Sequence, residues 1–265
     1  PKYILDVGTG TGILAEKMVA RYPKAQLIGI DLALNMLQQA SRKHPTAPQS
    51  LLQKMQAPFK PIAPVWINAD TYQLPIKTGS IDLLVSNLML QWCDDLDSVF
   101  KEFRRVLRPQ GVLIFTSFGP NTLKELRQAW AKTDEKQHIN FFIDMHDVGD
   151  ALIRNGFGQP VMDSEDFTLT YEKPMGVLKD LKAIGATNAY ADRQTGLMGK
   201  QRFATMLNHY EATRQNRTDQ RIPATYEVIH GHAWAAEEII KGPNRDRSGL
   251  VEITLEQFQK QTQQL

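Results

Sequence analysis

The 265-residue chain contains one cysteine, Cys93. A single thiol can build no disulfide framework, and no Cys or His pattern with metal-ligand spacing accompanies it. Neither a disulfide-stapled fold nor a structural zinc site is therefore expected. Cys93 reads as a small, half-buried residue in a reducing compartment. No apolar run reaches eighteen residues although 42% of the chain is hydrophobic, which excludes a transmembrane helix and leaves no membrane partner to expect. An excess of one charge is also lacking: 31 Lys and Arg face 29 Asp and Glu, and a net +2 is too mild to argue for nucleic acid. The opening residues hold no charged-then-apolar signal, since a strand pattern starts almost directly after Pro1. A cytoplasmic monomer is the expectation, long enough for one sizeable core with an appended lid.

Against these absences stands one dense motif. Ile4-Leu5-Asp6-Val7 runs straight into Gly8-Thr9-Gly10-Thr11-Gly12, a buried-type strand followed by glycines at alternate positions. Glycines there let the backbone turn tightly and approach a ligand, and the next helix presents unpaired N–H groups to it. The dinucleotide fingerprint G-x-G-x-x-G does not fit, because Ile13 stands where its last glycine belongs. A second strand, residues 26–30, ends at Asp31, nineteen positions after Gly12, where a carboxylate can accept both ribose hydroxyls of an adenosine. The bland alternatives are a helix N-cap for Asp31 and a simple turn residue for Asp70. Further apolar runs at 64–68, 81–87 and 112–116 alternate with helical patterns at 14–20, 35–41 and 96–107, which predicts a parallel sheet covered on both faces. Two more strands are expected around 167–171 and 225–229, the last of them antiparallel. Residues 44–64 are proline-rich and read as a surface excursion.

In this order the motifs resemble class I S-adenosylmethionine-dependent methyltransferases from Ile4 to about Phe118. The resemblance implies an α/β Rossmann-like seven-stranded sheet, mostly parallel with an antiparallel last strand, plus helical lid insertions. It also implies S-adenosyl-L-methionine as cofactor. Asp6, Gly8, Gly10 and Gly12 would hold its methionine end, Asp31 its ribose and Asp70 with Thr71 its adenine edge. The backbone at Asn87 and Leu88 would meet its amino group, with Thr9 and Leu32 among the contacts. Within that superfamily, Ser86-Asn87-Leu88-Met89-Leu90-Gln91-Trp92-Cys93-Asp94-Asp95-Leu96 and the segments at 116–127, 144–152, 184–188 and 223–227 are similar to enzymes that methyl-esterify malonyl-acyl carrier protein at the start of biotin synthesis. One departure is Phe141, where such enzymes often carry Arg, so another cation would have to hold the substrate carboxylate. Such methyltransferases usually have a helical segment ahead of the first strand, so the sequence is expected to lack its native beginning and perhaps a cofactor contact with it.

The expected organisation is a single methyltransferase domain over 1–240, with insertions at 121–147 and 174–221 forming a lid and a mobile tail at 241–265. A carboxylate is already ionised at neutral pH, so its methylation needs alignment and water exclusion rather than a general base. Burying it unpaired is costly, so the pocket needs a cation or several neutral donors. Arg127 ranks first among the cations, ahead of Lys124, Arg154 and Arg193, each of which has a solvated helix charge as its plain alternative. Gln91, Trp92, Asn121, His146, Asn188 and Tyr226 are candidate walls or donors, although Trp92 and Tyr226 also suit a core and His146 a helix start. The catalytic set is thus Arg127, Trp92, Gln91, Asn188 and Tyr226. The substrate partner implied by the resemblance is malonyl-acyl carrier protein, or malonyl-CoA. Basic residues for docking the acidic carrier are Lys101, Arg104, Arg105 and Arg108 on one helix, or Lys124, Lys132, Lys136, Lys200, Arg202, Arg214 and Arg217 on the insertions. Two other functions stay open: a complex I assembly-type enzyme that modifies a protein arginine, and a cofactor-binding scaffold without methyltransferase activity.

Overall fold

The computed structural model describes residues 1–44, 62–185, 199–216 and 218–237. Asn188, Arg193 and Arg217, the segment 45–61 and the tail from 241 lie outside the described residues. Seven strands form one sheet in the order β3-β2-β1-β4-β5-β7-β6. These are β1 (Tyr3–Val7), β2 (Gln26–Asp31), β3 (Val65–Asn68), β4 (Ile81–Asn87), β5 (Leu107–Phe118), β6 (Phe157–Tyr171) and β7 (Ile222–Ala235). β1 to β5 run parallel, and β7 is antiparallel to both β5 and β6. The chain reverses its strand order beside β1, leaving a crevice at the carboxyl ends of β1 and β4, where ligands of open α/β sheets bind.

Helices α1 (Ile13–Arg21) and α2 (Leu34–Lys43) connect the first three strands, and α3 (Leu96–Val106) joins β4 to β5. Helix α3 shows why the pattern folds as it does. Leu96, Val99, Phe100, Phe103 and Val106 recur at helical spacing and are all buried, while Asp95 caps the start by accepting a hydrogen bond from the Ser98 N–H at 3.1 Å. Phe100 meets Phe103, Phe115 and Phe157 at 6.2–6.3 Å between ring centroids, tying α3 to β5 and β6. Helix α5 (Met145–Arg154) adds Val148, Ala151 and Leu152 to that core.

A second core belongs to the insertions. Helices α4 (Lys124–Ala131), α6 (Pro174–Ala183) and α7 (Lys200–Glu211) gather Leu126, Trp130, Val177, Met206 and Tyr210 against Ile222 and Ala224 of β7. The Tyr210 hydroxyl donates to the Pro223 carbonyl at 2.8 Å. Both insertions therefore pack on one another over the carboxyl end of β5 and the start of β7. Strand bounds exceed the sequence expectation in three strands, with β5 beginning at Leu107 rather than 112. β6 begins at Phe157 rather than near 167, and β7 runs on to Ala235, because each is the hydrogen-bonded partner of the other along most of its length. Among the described residues no helix is long and apolar enough to cross a membrane.

Candidate functional site

The glycine turn is built by strand pairing. The N–H groups of Gly8 and Thr9 both donate to the Ile30 carbonyl, at 2.8 and 3.0 Å, so β2 fixes where the turn leaves β1. Gly8, Gly10 and Gly12 all adopt left-handed backbone, with φ of 76°, 55° and 78°. At Gly8 an added Cβ would fall 2.4 Å from Cγ of Met89, whereas at Gly10 it would meet no atom within 4 Å. Gly8 is thus required by packing, and Gly10 faces open space at the crevice.

Two carboxylates frame that space. Asp6 is 1% exposed and accepts a hydrogen bond from Thr9 Oγ1 at 2.7 Å. Burial pushes its carboxyl up to about 6; the Thr9 bond opposes the rise and the nearby Asp31 charge adds to it. Asp31 ends β2 and holds the turn from the other side: Oδ2 accepts from the Gly10 N–H and Oδ1 from the Ala33 N–H, both at 2.8 Å. Asn68, in register with Asp31, donates its Nδ2 to the carbonyls of Asp31 and Leu32 at 2.9 Å each. Sequence reasoning missed Asn68; its place at the end of β3, level with Asp31, was the available signal.

Asp70 and Thr71 follow β3 directly. Asp70 Oδ1 accepts from the Tyr72 N–H at 3.0 Å, and Thr71 Oγ1 is buried without a hydrogen-bond partner among the described residues. The Tyr72 hydroxyl accepts from the N–H groups of Asp94 and Asp95, at 3.0 and 3.2 Å, linking this loop to the one after the short 3-10 helix Leu90–Trp92. At the end of β4, Leu88 adopts φ 50°, and its N–H donates to the Thr116 carbonyl and hydroxyl. Thr116 Oγ1 donates in turn to Asn87 Oδ1 at 2.7 Å, and Gln91 Nε2 to the Leu88 carbonyl at 2.6 Å. The left-handed turn at Asn87–Leu88 is therefore fixed by groups far apart in the chain. Leu32, directly after Asp31, is 72% exposed. Cys93 lies half-buried against Met89, and burial pushes its thiol up to about 12, far from a reactive thiolate.

The substrate-side residues divide between two cavities. Gln91 and Trp92 line one of about 350 Å³ with Ser117, Phe142 and Ile143. Arg127 lines the other, about 370 Å³, with Trp130, Lys136 and His138. The Arg127 guanidinium donates from its two Nη groups to the carbonyls of Pro120 and Thr122, at 2.8 and 3.0 Å, while its Nε is buried with no hydrogen-bond partner among the described residues. Tyr226 packs against the insertion core with its ring centroid 5.8 Å from that of Phe118. His146 is 83% exposed in its side chain and sits in the first turn of α5, its N–H capped by Asp144. The Asn121 N–H donates to Glu227 Oε2 at 2.7 Å.

Most of the candidate cations are engaged internally, and Arg108 lies in β5 rather than on the helix of Lys101, Arg104 and Arg105. Arg105 pairs with Glu102 and Arg108 with Asp82, each at 2.7 Å, while Arg104 donates to the Gly156 and Ala236 carbonyls. Arg154 pairs with Asp97, Lys124 with Asp166, Arg202 with Asp134 and Arg214 with Glu211. Lys101, Lys132, Lys136 and Lys200 are exposed.

A methyltransferase domain family matches residues 5–115, the span from β1 to β5 that carries the glycine turn. A malonyl-[acyl-carrier protein] O-methyltransferase of Gallionella capsiferriformans (strain ES-2) is 45% identical over 254 residues, covering 96% of this chain and 83% of that protein. One from Laribacter hongkongensis (strain HLHK9) is 50% identical over 234 residues, 88% of this chain and 76% of that protein. The chain belongs to the malonyl-[acyl-carrier protein] O-methyltransferase family. The fold agrees: a YcgJ protein of Bacillus subtilis superposes with a TM-score of 0.58 at 15% identity, over 89% of this chain and 93% of that one. Phosphoethanolamine N-methyltransferase 2 of Haemonchus contortus, solved with S-adenosyl-L-methionine, gives 0.51 at 17% identity over 89% of this chain and 49% of that one. S-adenosyl-L-methionine is the cofactor of this methyltransferase family, and the crevice suits it. Gly10 leaves room for a ligand against the backbone, Thr71 offers a buried hydroxyl with no partner, and the acids at Asp6 and Asp31 suit an ammonium and a pair of hydroxyls.

Proposed function

We propose that this chain transfers the methyl group of S-adenosyl-L-methionine to the free carboxylate of a malonyl thioester, carried by acyl carrier protein or coenzyme A. The product is the methyl ester that starts pimeloyl and biotin synthesis in the cytoplasm. The observation that carries the substrate half of this reading is Arg127: a guanidinium pinned at both Nη groups, with a buried Nε lacking an acceptor among the described residues, in the wall of a cavity. A buried donor without a partner is unfavourable unless a ligand supplies one, and a carboxylate is the acceptor that suits a guanidinium.

When bound, the cofactor supplies an electrophilic methyl carbon on a sulfonium. The residues of the chain then have three tasks. Asp31 takes the ribose hydroxyls, with the glycine turn and Asp6 at the methionine end and Asp70 with Thr71 at the adenine edge. Arg127 orients the acceptor carboxylate without taking its proton, since it is ionised from the start. The two insertions, which share a core, act as the lid that excludes water. Holding the reacting oxygen about 3 Å from its target in line is worth on the order of 7–11 kcal/mol, enough for alignment to dominate this chemistry. Lys132, Lys136 and Lys200 on the insertions form the basic rim for an acidic carrier protein, since Arg104, Arg105 and Arg108 are already committed within the fold.

Mass spectrometry of malonyl-acyl carrier protein after incubation with the enzyme and S-adenosyl-L-methionine tests the reading. One added methyl on the carboxylate is expected, with none on acetyl-acyl carrier protein. Methylation of both at similar rates would point to a different acceptor atom, and methylation of neither to a scaffold or a protein-modifying role.

A further inference from the structure

One ring is common to both substrate-side cavities. Phe141 lines the cavity of Gln91, Trp92 and Ser117 and also that of Arg127, Trp130 and Lys136. Its flanks are anchored. His138 stacks on Trp130 at 3.7 Å between centroids and approaches Asp134 at 2.9 Å, while Arg202 of α7 holds the same Asp134. On the other side Phe142 meets Phe118 edge-on at 5.8 Å. Between these fixed points Phe141 is 65% exposed, a large apolar side chain that the protein core does not use. Phe141 thus stands on a braced loop where the two spaces adjoin.

We propose that Phe141 is a specificity-determining residue that restricts the acyl unit to a short dicarboxylyl thioester. The inference rests on the reading that Arg127 takes the carboxylate. With that end pinned in the Arg127 cavity and the thioester arm lying along Gln91 and Trp92, the acyl carbons pass the Phe141 ring. A longer diacid must place its extra methylenes where the ring stands. One methylene too many in an apolar site is commonly rejected about 10- to 200-fold, so a single aromatic wall is sufficient for the discrimination.

The test compares the protein with its F141A and F141L variants on malonyl-, glutaryl- and adipyl-acyl carrier protein, with methyl ester formation read by mass spectrometry. Calorimetric binding of S-adenosylhomocysteine reports whether the cofactor site is intact. The unaltered protein should favour malonyl over glutaryl, which is two methylenes longer, by at least about tenfold in kcat/KM, the low end for even a single extra methylene. F141A should raise the glutaryl-to-malonyl ratio by at least about the same factor, with F141L between them and cofactor affinity unchanged. An unaltered ratio in F141A, or equal use of malonyl and glutaryl by the starting protein, overturns the proposal while leaving the methyltransferase reading in place. If F141A loses cofactor binding, the ratio in F141L decides instead. Failure of the starting protein to methylate any of the three defeats the functional reading and this inference with it.

Discussion

Replacing Asp31 with alanine removes one carboxylate that has two duties. In the free protein its oxygens receive the N–H groups of Gly10 and Ala33, each at 2.8 Å, and so brace the glycine turn. In the bound state the same oxygens, through their remaining lone pairs, are assigned to two ribose hydroxyls. Hydrogen bonds to a charged group contribute about 1.5–3 kcal/mol each, so losing two lowers cofactor affinity by about 3–6 kcal/mol, or roughly two to four orders of magnitude in Kd. The effect on folding is smaller. Water can reach a half-exposed turn and replace the two backbone bonds, leaving a deficit of about 1–2 kcal/mol and a melting temperature a few degrees lower. Asp31→Asn keeps the shape and one acceptor oxygen but turns an NH₂ toward one of the two donors, so it should fall between. Calorimetric titration with S-adenosylhomocysteine, alongside thermal melts, separates the two duties. An affinity for Asp31→Ala within threefold of the starting protein would refute the ribose assignment and weaken the reading of the whole crevice.

Arg127→Ala should lower kcat/KM for the malonyl thioester by about two to four orders of magnitude with little change in cofactor affinity, as expected for about 3–5 kcal/mol from one buried partner of a carboxylate. Arg127→Lys should recover only part, because a point charge cannot replace the fork. Near-normal kinetics with an unchanged melting temperature would remove Arg127 from the site. Asp6 has a carboxyl raised by burial to about 6, above its unfolded value of 3.8. Its contribution to the stability of the free protein is therefore full below about pH 4 and lost as pH rises through 6. Binding of a cationic ligand group has the opposite sign: S-adenosylhomocysteine affinity should weaken as pH falls from 7 to 5, and Asp6→Asn should flatten that slope. A flat profile in the unaltered protein contradicts the assignment. Gly8→Ala should destabilise the fold more than Gly10→Ala, because its methyl would lie 2.4 Å from Met89 while both carry the left-handed backbone penalty of about 1–2 kcal/mol. Gly10→Ala should instead fail chiefly in cofactor binding, and normal binding by that variant would place the cofactor elsewhere.

Features that depend on neighbours in the chain could be read without coordinates. The strand at Tyr3–Val7, the glycine turn after it and helix α1 follow from an apolar run, residues that tolerate positive φ and a helical spacing, all within one short stretch. Asp31 could be placed for the same reason, since the length of one strand–helix–strand unit determines where its second strand ends. Tertiary structure decided whatever depends on a partner distant in sequence. The first ten residues of β6 contain Gly158, Pro160 and an acidic run that argue against a strand, yet they pair with β7, whose backbone groups need partners. Arg104, Arg105 and Arg108 look like a solvent-facing basic patch until the Ala236 carbonyl, the Leu74 and Ile76 carbonyls and Asp82 are brought beside them. Gln91 and Arg127 look like members of one pocket, and folding instead puts them in two cavities that share Phe141 in their walls. Period and turn chemistry act over a few residues and can be read from order alone, whereas pairing, burial and cavity shape arise only when distant segments meet.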